Sequence, residues 1–157
     1  MTAPEEVYLL RNKDILAMAS YNTRNFCGLD SLIVEGIALS PQVQGKGVFK
    51  LLTDSARDNQ KLVCLRTQNP RMYKALEKYC GAIYPSAINF SGNNNMFLEE
   101  FARYLGCKIE ENGVVRGYYG GLFYGEEPTH CEISKFFKED LKMDLSKGDA
   151  VLAVGIV

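Results

Sequence analysis

The sequence is poor in the residues that build metal sites and covalent staples. It has one histidine (His130), no tryptophan and five cysteines, none of them in a C-x-x-C pair. With Cys27, Cys64, Cys80, Cys107 and Cys131 odd in number and widely scattered, neither a Cys/His zinc site nor a disulfide framework is expected. The thiols read as reduced, and the chain as cytoplasmic. No apolar run approaches the roughly 20 residues that span a bilayer, and the start, MTAPEEV, is acidic where a secretory leader would be basic and then apolar. Neither sign of charge is in excess: 18 Lys+Arg stand against 19 Asp+Glu, a formal net charge of −1. Nothing global therefore draws the chain to nucleic acid or to an anionic membrane.

What is there fits an ordinary globular protein. The 157 residues are 46% hydrophobic and 24% charged, so disordered and fibrous classes are excluded. No linker or repeat divides them, and residues 1–157 are expected to form one domain of about ordinary size. Residues 7–23 predict a strand pair turning at 11–14, and SLIVEGIAL (31–39) predicts a buried central strand interrupted by Glu35 and Gly36. A helix is expected from Val48 to about Asn59, with Val48, Leu51, Leu52, Ser55 and Ala56 on its inner face. Leu62–Arg66 predicts a second buried strand. Asn69-Pro70 reads as the capped start of a helix through Tyr79, followed by a strand at 82–84. Asn95 predicts a cap for a helix over 96–105, stopped by Gly106. Asn112-Gly113 predicts a hairpin over 107–119. A helix over 131–141 with Phe136 and Phe137 inward, and a strand over 150–157, complete the chain. The pattern implies an α/β or α+β sheet protein. Its hydrophobic last strand suggests pairing across a homodimer.

The informative stretch is the turn QVQGKG (42–47), set between the strand 31–39 and the helix at 48. Two glycines there let the backbone gather several N–H groups at one point, and a helix N-terminus adds about half a positive charge. Such a turn can bind phosphate or pyrophosphate through main-chain donors, with Lys46 adding to the field; the alternative is a tight turn in an unrelated fold. The Walker A spacing G-x-x-x-x-G-K-[ST] is absent, and Lys50 stands where a G-x-G-x-x-G fingerprint needs its third glycine.

The pattern that does fit is Q-x-x-G-x-G at Gln42, Gly45 and Gly47, after a strand ending Leu39-Ser40-Pro41. Here the sequence resembles the GNAT superfamily of acyl-CoA-dependent N-acyltransferases, over residues 32–84. LIVEGIALSPQVQGKGVFKLLTDSA resembles the family's signature strand, pyrophosphate turn and helix, and KLVCLRTQNPRMYKALEKYCGAIYP its next strand and helix. The family's first strand and following helix pair are missing or shortened, and residues 85–157 would complete the sheet and the acceptor side. The resemblance implies a mixed, mostly antiparallel sheet whose two central strands splay at a bulge, which Gly36 would permit. Main-chain groups of Ile37, Ala38 and Leu39 would then hold the pantetheine arm of acetyl-CoA. The N–H groups of Val43, Gln44, Gly45, Lys46, Gly47 and Val48 would hold its pyrophosphate, and Asn69 would touch the cofactor from the next helix.

Acyl transfer needs a neutral amine and a protonated leaving thiol. An amine of pKa about 10.4 is almost entirely charged at pH 7, so a base assists, and an acid can protonate the thiolate. The resemblance makes Glu35 the candidate base. Where the family often carries a tyrosine acid this chain has Leu76, which leaves Tyr73, one turn earlier, as the candidate acid, with Tyr79 the other neighbour. Tyr118, Tyr119, Phe123 and Tyr124 are candidate walls of an acceptor pocket, and Glu126-Glu127 a candidate attraction for an amine. The expected function is transfer of an acetyl group to a primary amine, on a small molecule or a peptide. The alternative is a non-catalytic acyl-CoA-binding or sensory module.

Overall fold

The computed structural model describes residues 3–123 and 125–157; Tyr124 lies outside the described residues. Strands β1 (Glu6–Asn12), β2 (Asp14–Phe26) and β3 (Leu29–Leu39) form an antiparallel meander. A turn then leads into helix α1 (Val48–Ala56), which crosses to β4 (Leu62–Thr67), parallel to β3. Helix α2 (Pro70–Tyr79) leads to β5 (Ala82–Tyr84), and α3 (Met96–Leu105) precedes the two-residue β6 (Val114–Val115). A short helix α4 (Ile133–Lys135) opens into a wide turn over Phe136–Asp140, and β7 (Ala150–Ile156) ends the sheet. The order is β1-β2-β3-β4-β7-β5, with β6 on β7, so the molecule is an α/β protein with one mostly antiparallel open sheet.

Two cores form on the two faces of that sheet. On one, α1, α2 and the 133–145 segment bury Val34, Leu52, Val63, Tyr73, Leu76, Phe137 and their neighbours. On the other, α3 lays Leu98, Phe101 and Ala102 over Phe26, Ile33, Leu62 and Cys64.

Several local rules operate as written in the sequence. Asn69 Oδ1 accepts from Arg71 N–H at 2.9 Å, with Pro70 at the first helical position. Asn95 Oδ1 accepts from Leu98 N–H at 3.0 Å, and Gly106 ends α3 at φ 68°.

Other expectations are corrected. α1 is rotated by about one position: Phe49 and Thr53 are buried while Leu51 is 52% exposed. The cause is a polar pairing inside the core, in which the Thr53 hydroxyl lies 3.3 Å from the Tyr21 hydroxyl. α1 also ends at Ala56, three residues early. The hairpin at Asn112-Gly113 does not form. Asn94 binds both sides of that turn, accepting from Gly113 N–H at 2.6 Å and donating to Glu110 O at 2.9 Å. Val114 and Val115 pair with β7 instead. The last strand is interior, flanked by β4 on one edge and by β5 and β6 on the other. β5 occupies that edge at Val154–Ile156 and β6 at Ala150–Val151, so β7 is not an end strand free to pair along its length.

The decisive feature for function is the register of β3. Its pairs with β2 run from Leu39↔Ala17 to Gly36↔Ser20, then jump to Val34↔Tyr21, so Glu35 is the extra residue of a β-bulge. One extra residue switches which side chains face which layer. Leu32 and Val34 face the α1/α2 core before the bulge, and Ile37 and Leu39 face it after. Pairing of β3 with β4 covers only Ser31–Val34 against Leu62–Leu65 and stops at the bulge. Beyond it, β3 runs on to Leu39 with β2 on one edge only.

Candidate functional site

The carboxyl ends of parallel β3 and β4 both open onto helix N-termini, the location where open α/β sheets bind ligands. At the end of β3, Pro41–Val43 form a short 3₁₀ turn in which Val43 N–H donates to Ser40 O at 3.0 Å. Gln44 Nε2 donates to Leu39 O at 3.1 Å, folding the turn back on the strand. Gly45 and Gly47 are left-handed, at φ 72° and 75°, a conformation that costs other residues about 1–2 kcal/mol. Outside each lies open space, since a Cβ built there would meet nothing within 4 Å. Gln44 to Gly47 are exposed. The first bond of α1 joins Leu51 N–H to Gly47 O at 3.1 Å, and no side chain caps the helix. The N–H groups of Val48, Phe49 and Lys50 therefore have no partner within α1. The geometry fits an anion at Gln44–Val48, whereas Val43 N–H and Leu39 O already have intramolecular partners.

Glu35 points from the bulge to the α3 face. Its Oε1 accepts from Asn22 Nδ2 at 2.9 Å and from the Tyr104 hydroxyl. Asn22, fully buried, also donates to the Tyr104 oxygen at 2.9 Å and takes Glu5 N–H at 2.7 Å through Oδ1. Burial, then the bond to Glu35, raises the Tyr104 pKa above its ordinary value. Oε2 accepts no hydrogen bond among the described residues; it faces Arg66 Nη1 at 3.7 Å. Arg66 rises from β4 past the last β3 pair and donates from Nη2 to Glu35 O at 3.2 Å, with Tyr118 5.4 Å from its Cζ. Neither Asn22, Arg66 nor Tyr104 is singled out by the sequence. The available signal is an arginine inside the apolar run LVCLRT.

Tyr73 is fully buried, its ring against Phe136 and Phe137. Its hydroxyl donates to Pro85 O at 2.6 Å and accepts from Ala87 N–H at 3.2 Å. Burial pushes its pKa well up. Both functions of this hydroxyl are occupied by structure, as is the side chain of Leu76, also fully buried. Tyr79 is held by Asp54 and Arg57 on the far side of α2. Asn69 stands at the carboxyl end of β4, and its Nδ2 makes no hydrogen bond among the described residues.

The remaining candidates are distributed elsewhere. His130 Nδ1 accepts from the N–H groups of Glu132 and Ile133, capping α4. Glu127 pairs with Lys138 at 3.2 Å. Tyr119 meets Tyr118 edge to face and Phe123 at a tilt, each with ring centres 5.0 Å apart. Two shallow cavities, of about 360 and 300 Å³, lie at Leu122–Lys138–Leu145 and at Lys74–Ile88–Phe136, both away from the glycine turn. All five cysteines are free, and burial pushes the Cys80 thiol up to about 11. Among the described residues no three His, Cys, Asp or Glu side chains cluster to hold a metal, and no helix is long and apolar enough to cross a membrane.

No protein-family model and no curated protein matches the chain.

Proposed function

We propose that the chain is an acyl-CoA-dependent N-acyltransferase, with acetyl-CoA as donor and a primary amine as acceptor. One observation carries this reading: pairing of β3 with β4 ends at the Glu35 bulge, and the open edge runs directly into the left-handed glycine turn. A gap between parallel strands that leads to unpaired helix N–H groups suits an extended thioester arm ending in a diphosphate. The resemblance to the GNAT superfamily implies a splay of these two strands at such a bulge, which the end of their pairing supports.

The donor supplies a thioester: the amine nitrogen bonds to the acyl carbon, the C–S bond breaks, and the thiolate takes up a proton. The chain's part is to hold and orient. Outward main-chain groups of Ile37 and the N–H of Leu39 would align the arm, since Ala38 bonds toward β2, and those from Gln44 to Val48 its diphosphate, with Asn69 Nδ2 at the neighbouring strand end. Oε2 of Glu35, the oxygen with no donor of its own, would take the amine proton directly or through water. Holding both reactants in line supplies most of the acceleration. Tyr73 has no part in this, since its hydroxyl is enclosed.

The same enclosure favours a second reading, an acyl-CoA-binding module without turnover. Calorimetry with coenzyme A and thiol release with acetyl-CoA and an amine panel separate the two. Binding that Gly45→Asp or Gly47→Asp abolishes in folded protein, together with thiol release, supports the transferase. Binding without release on any amine supports the module. No heat with coenzyme A sinks both.

A further inference from the structure

We infer that the acceptor carries a carboxylate next to its amine, as an α-amino acid does, and that Arg66 reads it. The inference rests on the acyl-transfer reading and names the substrate class of that same site.

The argument starts from unused capacity. Glu35 and Arg66 are mostly buried, with side chains 13% and 16% exposed, yet each is incompletely partnered. Oε2 of Glu35 lacks a donor. Nε and Nη1 of Arg66 are shielded from water and make no hydrogen bond among the described residues; Nη2 donates to Glu35 O. A guanidinium with two buried N–H groups unpaired is costly, and in native proteins such groups commonly answer to a ligand or a water. Glu35 Oε2 accepts and Arg66 donates, 3.7 Å apart. That pair complements a zwitterion, with the amine on Oε2 and the carboxylate on Nη1 beside it.

The surroundings agree. On this face the sheet beyond α3 is uncovered: Gly36 and Ala38 of β3 and Met18 of β2 are exposed beside the bulge. An acceptor can approach there while the donor arm lies along the β3 edge. Tyr118 flanks the guanidinium, its ring centre 5.4 Å from Cζ. A polyamine or a basic peptide would bring its extra positive charge against Arg66 in a poorly solvated site and be repelled. The same guanidinium disfavours the ammonium form of the acceptor, which helps to present a neutral nucleophile.

The test follows the Arg66 Nε–H resonance, assigned through its loss in Arg66→Lys, while full-length protein is titrated with L-alanine, L-glutamate and L-phenylalanine, their α-amides, and spermidine. At least one amino acid is expected to shift the resonance, and neither its amide nor spermidine to do so. Thiol release should favour that amino acid over its amide by about ten- to hundredfold in kcat/KM, a preference that Arg66→Gln removes and Arg66→Lys partly restores. A resonance that no amino acid moves, or that amides move equally, overturns the inference, as does an Arg66→Gln that slows every acceptor alike. The titration needs no coenzyme A and no variant beyond the assignment. Failure of coenzyme A to bind in calorimetry is therefore a separate result, which strikes the acyl-transfer reading rather than the carboxylate subsite.

Discussion

The Tyr104 hydroxyl donates to Oε1 of Glu35 across 69 residues of chain, tying the last turn of α3 to the bulge of β3. Asn22 Nδ2 bonds both partners, so one carboxylate oxygen is fixed by two donors. Holding Oε1 in this way turns Oε2 toward the β3–β4 gap, and α3 thereby positions the candidate base without touching a substrate.

Tyr104→Phe removes one of those donors from a mostly buried carboxylate. The expected loss is about 1.5–3 kcal/mol of unfolding free energy, because hydrogen bonds to charged groups lie in that range. Urea denaturation measures it. Coenzyme A affinity should not change, since Tyr104 is distant in the fold from the glycine turn.

Glu35→Gln keeps the side chain's shape and an oxygen for Asn22 and Tyr104, but removes the proton acceptor. Thiol release is expected to fall about 10²–10⁴-fold, the usual contribution of general base catalysis, with coenzyme A affinity unchanged by calorimetry. An unchanged rate would assign proton removal to water alone.

Gly155 in β7 faces Cys80. A Cβ there would lie 2.9 Å from Cys80 Cβ and nearer still to its Sγ, with Leu76 Cδ1 at 3.4 Å. Gly155→Ala should therefore destabilise by about 1–3 kcal/mol, as overpacking does. Cys80→Ala in the same chain should recover only part of this in chemical denaturation, because the clash with the Cys80 Cβ persists.

These positions also mark what a sequence can and cannot say. Local chemistry was legible: Asn69-Pro70 and Asn95…Gly106 specify their helix boundaries within a few residues, and Glu35-Gly36 flags the break in an apolar strand. The coarse sheet class followed from the alternation of elements. Long-range relations were not legible. Thr53 counts as polar in a periodicity, yet it is buried because Tyr21, 32 residues earlier, offers a hydroxyl. Asn112-Gly113 carries a strong hairpin signal, but Asn94 and the pairing of Val114–Val115 with β7 decide its use. Tyr73 looks available until Pro85, Ala87, Phe136 and Phe137 enclose it. Arg66 and Tyr104 reach Glu35 only through pairings made by β4 and α3, which no spacing encodes.

Asp149 gives the fold an acid limit. It is the residue before β7, its side chain is 4% exposed, and it gathers the loop ends around it. Oδ1 accepts from Gly117 N–H at 2.9 Å, while Oδ2 accepts from Asp144 N–H at 2.9 Å and from Arg116 Nη1 at 2.7 Å. Burial alone would raise its pKa, but those backbone donors and the guanidinium outweigh it and hold the carboxyl below its ordinary value. A lowered folded-state pKa contributes stability that is complete above the unfolded value, about 3.9, and is lost as pH falls through the folded one. Wild type should therefore lose stability as pH drops below about 4. Asp149→Asn should lose about 1.5–3 kcal/mol at neutral pH, the range for a hydrogen bond to a charged group, and show a shallower decline in acid. Urea midpoints from pH 7 to 3 measure both. Parallel curves for the two proteins would mean that Asp149 does not set the acid limit. The 117–123 segment, which Gln68 also ties down through Gly121 O and Phe123 N–H, should become the first part to gain amide exchange in the variant, since Gly117 N–H loses its charged acceptor.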